Sequence, residues 1–298
     1  MWCPVCDCSS TSYANISGFA YFECSGCGII HIDPLVIAQI DGGKQLVEYR
    51  SDYWKMETEA AEERSRSVGI LRFAEAIFLC RRPVRHAIDI GTGTGRLLDH
   101  IEHLLPRSSQ HIWGVELFPP ADEQRTQSTR YVRGTISSVA NITFDAGMCM
   151  EVVEHLTPTM VRSMLRELAA RSNPDSCFFF NTGLAAYTKH EDPGYLDPTN
   201  RGHIVSWTVK AFNVLGSPFG LSATELPGRT WAFLVEHTDR PQDIESRLWA
   251  PLPTNLTFLN DGKPGQSLLG IAAAESCRGY FNAQRAEERT AWALSLAR

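Results

Sequence analysis

The sequence contains no apolar run of 18 residues, so no membrane-spanning helix is expected. It has no basic surplus: 28 Lys and Arg stand against 34 Asp and Glu, and no basic run is longer than Arg81-Arg82. That balance argues against a duplex nucleic-acid binder, which carries a positive face. The opening MWCPVC holds neither a basic leader nor an apolar stretch, so nothing in it marks the chain for export, and a cytoplasmic location is expected. Cysteine is sparse after residue 27, where Cys80, Cys149, Cys177 and Cys277 are scattered, and the total of nine is odd. Without an export signal, such a set indicates reduced thiols rather than a disulfide frame. The apolar content of 43% is ordinary for a globular chain, and 298 residues leave room for one large domain or two unequal ones.

What is present is concentrated. Five cysteines fall in the first 27 residues, four of them as Cys3-x-x-Cys6 and Cys24-x-x-Cys27 with 17 residues between the pairs. This spacing fits a four-thiolate zinc ribbon, each pair forming a tight knuckle that aims two sulfurs at one point. A turn at Ser17-Gly18, flanked by β-formers, predicts a hairpin between the knuckles. A module of this size has little core, so a metal would supply much of its folding free energy. Cys8 is the rival ligand but lacks a partner at ribbon spacing. A redox pair or a set of unbound thiols is the alternative reading. A closed four-sulfur site would be structural.

The segment from Val84 reads strand, turn, helix: HAIDI is a short apolar strand, GTGTG a turn, and RLLDHIEHLL a helix with apolar spacings of three and four. Glycines in such a turn let a ligand approach the backbone at a helix amino terminus. Asp89, Gly91, Gly93 and Gly95 form D-x-G-x-G-x-G, with Arg96 where a dinucleotide fingerprint would continue. The pattern resembles the first motif of class I S-adenosylmethionine-dependent methyltransferases. The resemblance implies S-adenosyl-L-methionine as cofactor, with Asp89, Gly91, Thr92, Gly93 and Gly95 under its amino-acid half. The strand HIWGVEL ends in Glu116, 21 residues after Gly95, where an acid can accept both ribose hydroxyls. Leu117 and Glu151 complete the implied cofactor set. Gly134-Thr135-Ile136, after a third strand at RYVRGTIS, departs from the family's usual Asp or Asn near the adenine.

FDAGMCM, SCFFFNTG, FGLSATEL and RTWAFLVEHT supply further strands, and a helix over MVRSMLRELAARS stops at Asn173-Pro174-Asp175. A helix is also expected within 53–80. Alternating strands and helices build an α/β fold: a Rossmann-like, mostly parallel sheet with helices on both faces. The expected division is a zinc ribbon at 1–40, a methyltransferase domain at 41–240 and a helical carboxyl-terminal extension at 241–298, the last with one or two helices from Ser267 onward. The extension would cover the sheet edge, cap the site or mediate a homodimer.

The stretch CMEVVEHLTP follows the fourth strand and sets Glu151, Glu154 and His155 together. In a helical turn the three would share a face. Like charges this close repel unless a cation lies between them. The stretch is similar to E-x-x-E-H segments of ubiquinone-pathway O-methyltransferases and small-RNA 3′-terminal ribose 2′-O-methyltransferases, where those residues bind a divalent metal. His203, Trp207 and Thr208 match the latter's H-x-x-x-W-T. The likeness implies Glu151, Glu154, His155 and His203 as ligands of a second metal, with Mn2+, Fe2+ or zinc suited better than Mg2+. Two other readings stay open: His155 or His203 as a metal-free general base, and a purely structural role.

The long polar connection 183–204 offers Tyr187, His190, Asp192, Tyr195 and Asp197 to a hydroxylated substrate, and YRSDYW at 49–54 is a lid or a core anchor. A zinc ribbon joined to such a core resembles a bacterial group acting on sugars, polysaccharide precursors and secondary metabolites. The expected function is methyl transfer to a hydroxyl of a small metabolite or sugar. RNA ribose 2′-O-methylation, C-methylation of a nucleotide sugar, and a binding module with an inactive methyltransferase fold are the alternatives.

Overall fold

The computed structural model describes residues 1–46, 63, 65–239, 243–261 and 268–296. Residues 49–54, expected to act as lid or anchor, and the first part of the helix read over 53–80 lie outside the described residues.

Near the amino terminus, β1 (Ser10–Ile16) and β2 (Phe19–Cys24) form the expected hairpin. Ser17 and Gly18 both sit at positive φ, 53° and 84°, as a two-residue turn matched to strand twist requires. β3 (Ile30–Ile32) pairs with β2, and α1 (Pro34–Asp41) starts at Asp33, whose side chain accepts from the Leu35 N–H. The main sheet is built from β4 (Ala87–Ile90), β5 (Ile112–Glu116), β6 (Tyr131–Arg133), β7 (Phe144–Met150) and β8 (Ser172–Asn181), with the two-residue β9 (Val205–Ser206) held apart from it. β10 (Ser222–Glu225) and β11 (Ala232–Glu236) complete the strands. The order is β10-β11-β8-β7-β4-β5-β6, and only β11 runs against its neighbours. The fold is therefore the expected α/β, Rossmann-like sheet.

The helices that flank it are α2 (Ile70–Leu79), α3 (Arg96–Leu104), α4 (Pro158–Arg171), α5 (Ala185–His190) and α6 (Val209–Gly216), followed by α7 (Ile244–Trp249), α8 (Pro253–Leu259) and α9 (Leu268–Leu296). The period of β8 sorts its aromatics: Phe178 and Phe180 join the core under α4 and α6, while Phe179 faces the layer of α2, α3 and α9. Both faces are thus covered, as buried parallel strands need. Among the described residues, no helix is long and apolar enough to cross a membrane.

Two local expectations are corrected. Asn173-Pro174-Asp175 does not separate α4 from β8: the strand starts at Ser172, and the ladder jumps from Phe144–Ser172 to Ala146–Cys177, so the three residues bulge from it, with Asp175 at φ 62°. The polar connection 183–204 contains α5. The carboxyl-terminal stretch holds α9, within the expected one or two helices, and the short α7 and α8, which were not expected, precede it. The amino-terminal module also has more core than its length suggested. Tyr21, Ile29, Ile30 and Ile32 are fully buried and belong to one apolar cluster with Val205, Trp207, Phe212 and the sheet.

On the opposite face, a buried ion cluster binds α2 to the end of the chain. Arg229 donates from both terminal nitrogens to Glu75, each at 2.8 Å, and Arg72 Nη1 donates to Glu75 Oε2 at 2.5 Å. The Arg229 guanidinium lies 4.3 Å from the Tyr280 ring centre on α9. Burial alone would raise the Glu75 pKa, but the two arginines hold it below the usual carboxylate value. A depressed folded pKa means stabilisation that is present above the unfolded value of 4.5 and lost as acid protonates Glu75. Glu75→Ala strands two buried cations, so unfolding in urea at neutral pH should show a loss of about 3–5 kcal/mol. The loss should shrink as pH falls through that range; a pH-independent loss would assign it to packing.

Candidate active site

Strand register brings the predicted residues to one edge. Ile90 pairs with both Val115 and Cys149, and Met150 pairs with Asn181, so β4, β5, β7 and β8 end side by side. Asp89 lies one residue before the end of β4, Glu116 at the end of β5, and Glu151 just past β7. Ligands of open α/β sheets lie outside these strand ends.

The turn after β4 needs its glycines for separate reasons. Gly91, Gly93 and Gly95 all have positive φ. A methyl on Gly91 would lie 2.4 Å from Val152, and one on Gly95 would lie 2.3 Å from Thr126, but one on Gly93 meets nothing within 4 Å. Gly91 and Gly95 therefore serve packing, and Gly93 borders open space, as a turn that receives a ligand should. Thr92 turns inward beside Gly114. Glu116 Oε2 accepts from the Gly93 N–H at 2.8 Å and its Oε1 accepts from the Phe118 N–H at 2.9 Å, which fixes the carboxylate. Burial raises its pKa, and the amides of Phe118 and Gly93 oppose the rise. Burial likewise pushes Asp89 up to about 7. Leu117 is exposed next to this carboxylate.

A second group forms where the chain leaves β7. Glu151 does not start a helical turn: its φ is 53°, and a 3₁₀ turn follows over Val153–His155. The expected shared face of Glu151, Glu154 and His155 is therefore absent. The cluster consists of Glu154, His155 and His203, whose ligand atoms all lie within 4.8 Å of one another, and Glu151 stands outside it. Glu151 instead accepts from Asn181 Nδ2 at 2.5 Å while its N–H donates to the Asn181 carbonyl. Crowding by protein raises the Glu151 pKa, and the nearby Glu154 carboxylate raises it further.

Glu154 is fully buried, and neither carboxylate oxygen has a hydrogen-bond partner among the described residues. Glu151, Thr182 and Tyr195 approach it without reaching bonding geometry; the Tyr195 hydroxyl is engaged with Thr182 Oγ1 at 3.1 Å and accepts from the Gly183 N–H at 2.8 Å. Burial drives the Glu154 pKa up. His155 Nδ1 faces the Gly202 carbonyl at 3.2 Å, and His203 Nδ1 faces the Tyr195 carbonyl at 2.7 Å. A carbonyl only accepts, so each Nδ1 carries a proton and each Nε2 is turned toward Glu154. Both Nε2 atoms lie 4.0 Å from Glu154 Oε1. Burial, then the His155 ring, lower the His203 pKa to about 3, so His203 is neutral at ordinary pH.

At the other end of the chain, Cys3, Cys6, Cys24 and Cys27 converge with all four sulfurs within 4.8 Å of one another. Cys3 and Cys27 sulfurs are 3.6 Å apart, and those of Cys6 and Cys24 are 3.4 Å apart. N–H groups of Val5, Gly26 and Cys27 point at Cys3 or Cys24 sulfur, as knuckles require. Cys8 is exposed and outside the group. A cavity of about 470 Å3, lined by Thr224, Asp243, Phe281 and Arg285 among others, lies elsewhere and shares no residue with either group.

A family model described as a methyltransferase domain (Methyltransf_23) matches residues 58–226, more than half of the chain. The chain belongs to this family. It is an S-adenosylmethionine-dependent methyltransferase. Solved structures similar to this methyltransferase include CalS10, an amino pentose methyltransferase from Micromonospora echinaspora, with 16% identity, a TM-score of 0.38, and coverage of 69% of this chain and 97% of that one. The sugar N-methyltransferase KedS8 from Streptoalloteichus has 13% identity, a TM-score of 0.43, and coverage of 58% and 88%. Human N-acetylserotonin methyltransferase has 15% identity, a TM-score of 0.44, and coverage of 64% and 57%. No curated protein sequence matches the chain.

Sequence reasoning on this methyltransferase missed Asn181, Thr182 and Tyr195 as neighbours of the acidic pair. Asn181 had a signal: it is the polar residue that ends the apolar run of β8, at a strand carboxyl end. Tyr195 was read only as a contact for a hydroxylated substrate, because its approach to Glu154 depends on how the connection after α5 folds back.

Proposed function

We propose that the enzyme methylates a hydroxyl of a small metabolite or sugar, with Glu154, His155 and His203 holding a divalent metal at the acceptor. The observation that carries the reading is the Glu154 carboxylate: fully buried, with no hydrogen-bond partner for either oxygen among the described residues, and opposite two imidazole nitrogens. A buried polar group left in this state costs free energy unless a ligand satisfies it.

Asp89, Gly91, Thr92, Gly93, Gly95, Glu116 and Leu117 would hold the cofactor. The fit rests on the open space at Gly93 and on the fixed Glu116 carboxylate, an acceptor for two vicinal hydroxyls. When bound, S-adenosylmethionine supplies an electrophilic methyl group. Glu116 and Asp89 would hold the two ends of the cofactor, and Glu151 and Asn181 would face the acceptor. Glu151, raised in pKa and outside the group of Glu154, His155 and His203, would hold a proton beside the acceptor.

Two imidazoles and one carboxylate suit Mn2+ or Fe2+ better than Mg2+. When bound, such an ion supplies Lewis acidity to an acceptor hydroxyl. Of the metal-free alternatives, His155 or His203 as a base, the His203 form is disfavoured by its pKa of about 3, which makes it a weak base but a ready neutral ligand. The four sulfurs of Cys3, Cys6, Cys24 and Cys27 would hold a structural Zn2+, because four cysteine sulfurs converging this closely match a closed four-sulfur zinc site.

Elemental analysis before and after mild chelation, coupled to transfer of labelled methyl to pools of sugars, phenols and RNA, tests the reading. Tightly held zinc and a labile second metal are expected. Transfer to hydroxylated small molecules should stop on chelation and return with Mn2+. Activity indifferent to chelation would reject the second metal, and transfer confined to RNA would reject the small-molecule acceptor.

A further inference from the structure

The cysteine module could stand apart from the chemistry, but its hydrogen bonds do not end within it. β3 takes β9 as its outer partner, Ile30 opposite Ser206 and His31 opposite Val205. β9 belongs to the segment that begins with His203. Ile204 is the bridge: its carbonyl accepts from the Ile32 N–H at 2.9 Å, and its own N–H donates to the Glu154 carbonyl at 2.8 Å. One residue therefore connects the module to the backbone of the acidic cluster.

Two contacts on either side of Ile204 reinforce this. Tyr21, fully buried in β2, donates its hydroxyl to the His203 carbonyl at 2.8 Å. A buried phenol needs such a partner. Thr208 Oγ1 donates to the carbonyl of Cys27, the last knuckle residue, at 2.6 Å, and the same oxygen accepts from the Ala211 N–H at the start of α6. Between them, Trp207 Nε1 donates to the Val153 carbonyl at 2.8 Å. Residues 203–208 are thus tied alternately to the cysteine module and to Val153-Glu154.

We infer that the cysteine module is a positioning element for the active site, with Tyr21 and the Cys27 knuckle setting the backbone that places His203 against Glu154. This rests on the reading of His203 and Glu154 as working residues. Tyr21 touches no reacting atom; it acts through the His203 carbonyl. The module's fully buried Ile30 and Ile32 pack in the same cluster as Val205 and Trp207, so a displaced knuckle moves the segment rather than sliding past it.

The test uses the full chain, zinc-loaded, with 15N-labelled histidine. The His203 ring signals are assigned by comparison with His203→Gln. In Tyr21→Phe these signals should shift, while those of His86 and His111, which lie together at the opposite strand ends, should not. Zinc content and calorimetric affinity for S-adenosylhomocysteine should stay at wild-type values. Turnover of whichever acceptor the pools reveal should fall by about ten- to a hundredfold with little change in KM for the cofactor. A merely structural role would lower the melting temperature and leave the His203 signals in place, and that result overturns the inference. Shifted signals with undiminished turnover uphold the positioning and remove His203 from the chemistry, so the two readings fail separately. Should Tyr21→Phe not fold, Thr208→Val and Thr208→Ser carry the same test: the first should shift the His203 signals and the second, which keeps the hydroxyl, should restore them. Identical spectra for both overturn the inference.

Discussion

Glu116→Ala is expected to lower calorimetric affinity for S-adenosylhomocysteine by about 10²- to 10⁴-fold, the equivalent of two hydrogen bonds to a charged acceptor at about 1.5–3 kcal/mol each. The carboxylate is held from behind by the Gly93 and Phe118 amides, so its remaining lone pairs face outward without any rearrangement. The same amides make the residue a local staple, and Glu116→Gln separates the two roles. Glutamine keeps one carbonyl acceptor, so it should lose about tenfold in affinity. Its melting temperature without ligand should stay closer to wild type than that of the alanine variant. Wild-type affinity in both variants would remove Glu116 from the cofactor site.

The strand, turn and helix that would hold the cofactor were legible because their pattern is local. A short apolar strand, three glycines at alternate positions and an amphipathic helix need only neighbouring residues to form, and β4, the turn and α3 follow that reading closely. Glu116 was legible for the same reason, as the last residue of β5. The proposed acceptor end was legible in composition but not in geometry. The expected helical face assumed regular φ and ψ from Glu151 onward, whereas a left-handed Glu151 redirects the turn and leaves it outside the group that Glu154, His155 and His203 form. The place of the cysteine module was hidden because β9 is only two residues long and its pairing with β3 is non-local. No periodicity marks a two-residue strand. The short α7 and α8 escaped for a similar reason, each spanning two turns or fewer.

The second large effect concerns Glu154, and its two parts have opposite signs. Glu154→Gln should reduce methyl transfer by about 10²- to 10⁴-fold, the usual range for loss of a group that handles a proton or holds its acceptor. On chelated protein the same change should raise stability. Two buried oxygens without partners destabilise the fold by about 1–3 kcal/mol, and a neutral amide relieves the part that comes from charge. Burial raises the folded pKa of Glu154 above its usual 4.5, so the native carboxyl's stability is full below that value and declines as pH rises through the raised pKa. The advantage of the glutamine variant should therefore grow with pH. Glu75 runs the other way, since its arginine partners make ionisation favourable and its replacement harmful. Two fully buried glutamates in one molecule thus separate by what surrounds them: the one with cations stabilises the fold, and the one without destabilises it, as an acid retained for function does. A Glu154→Gln protein that is less stable than wild type when chelated, and still active, would show that the carboxylate is a structural group and would withdraw it from the acceptor site.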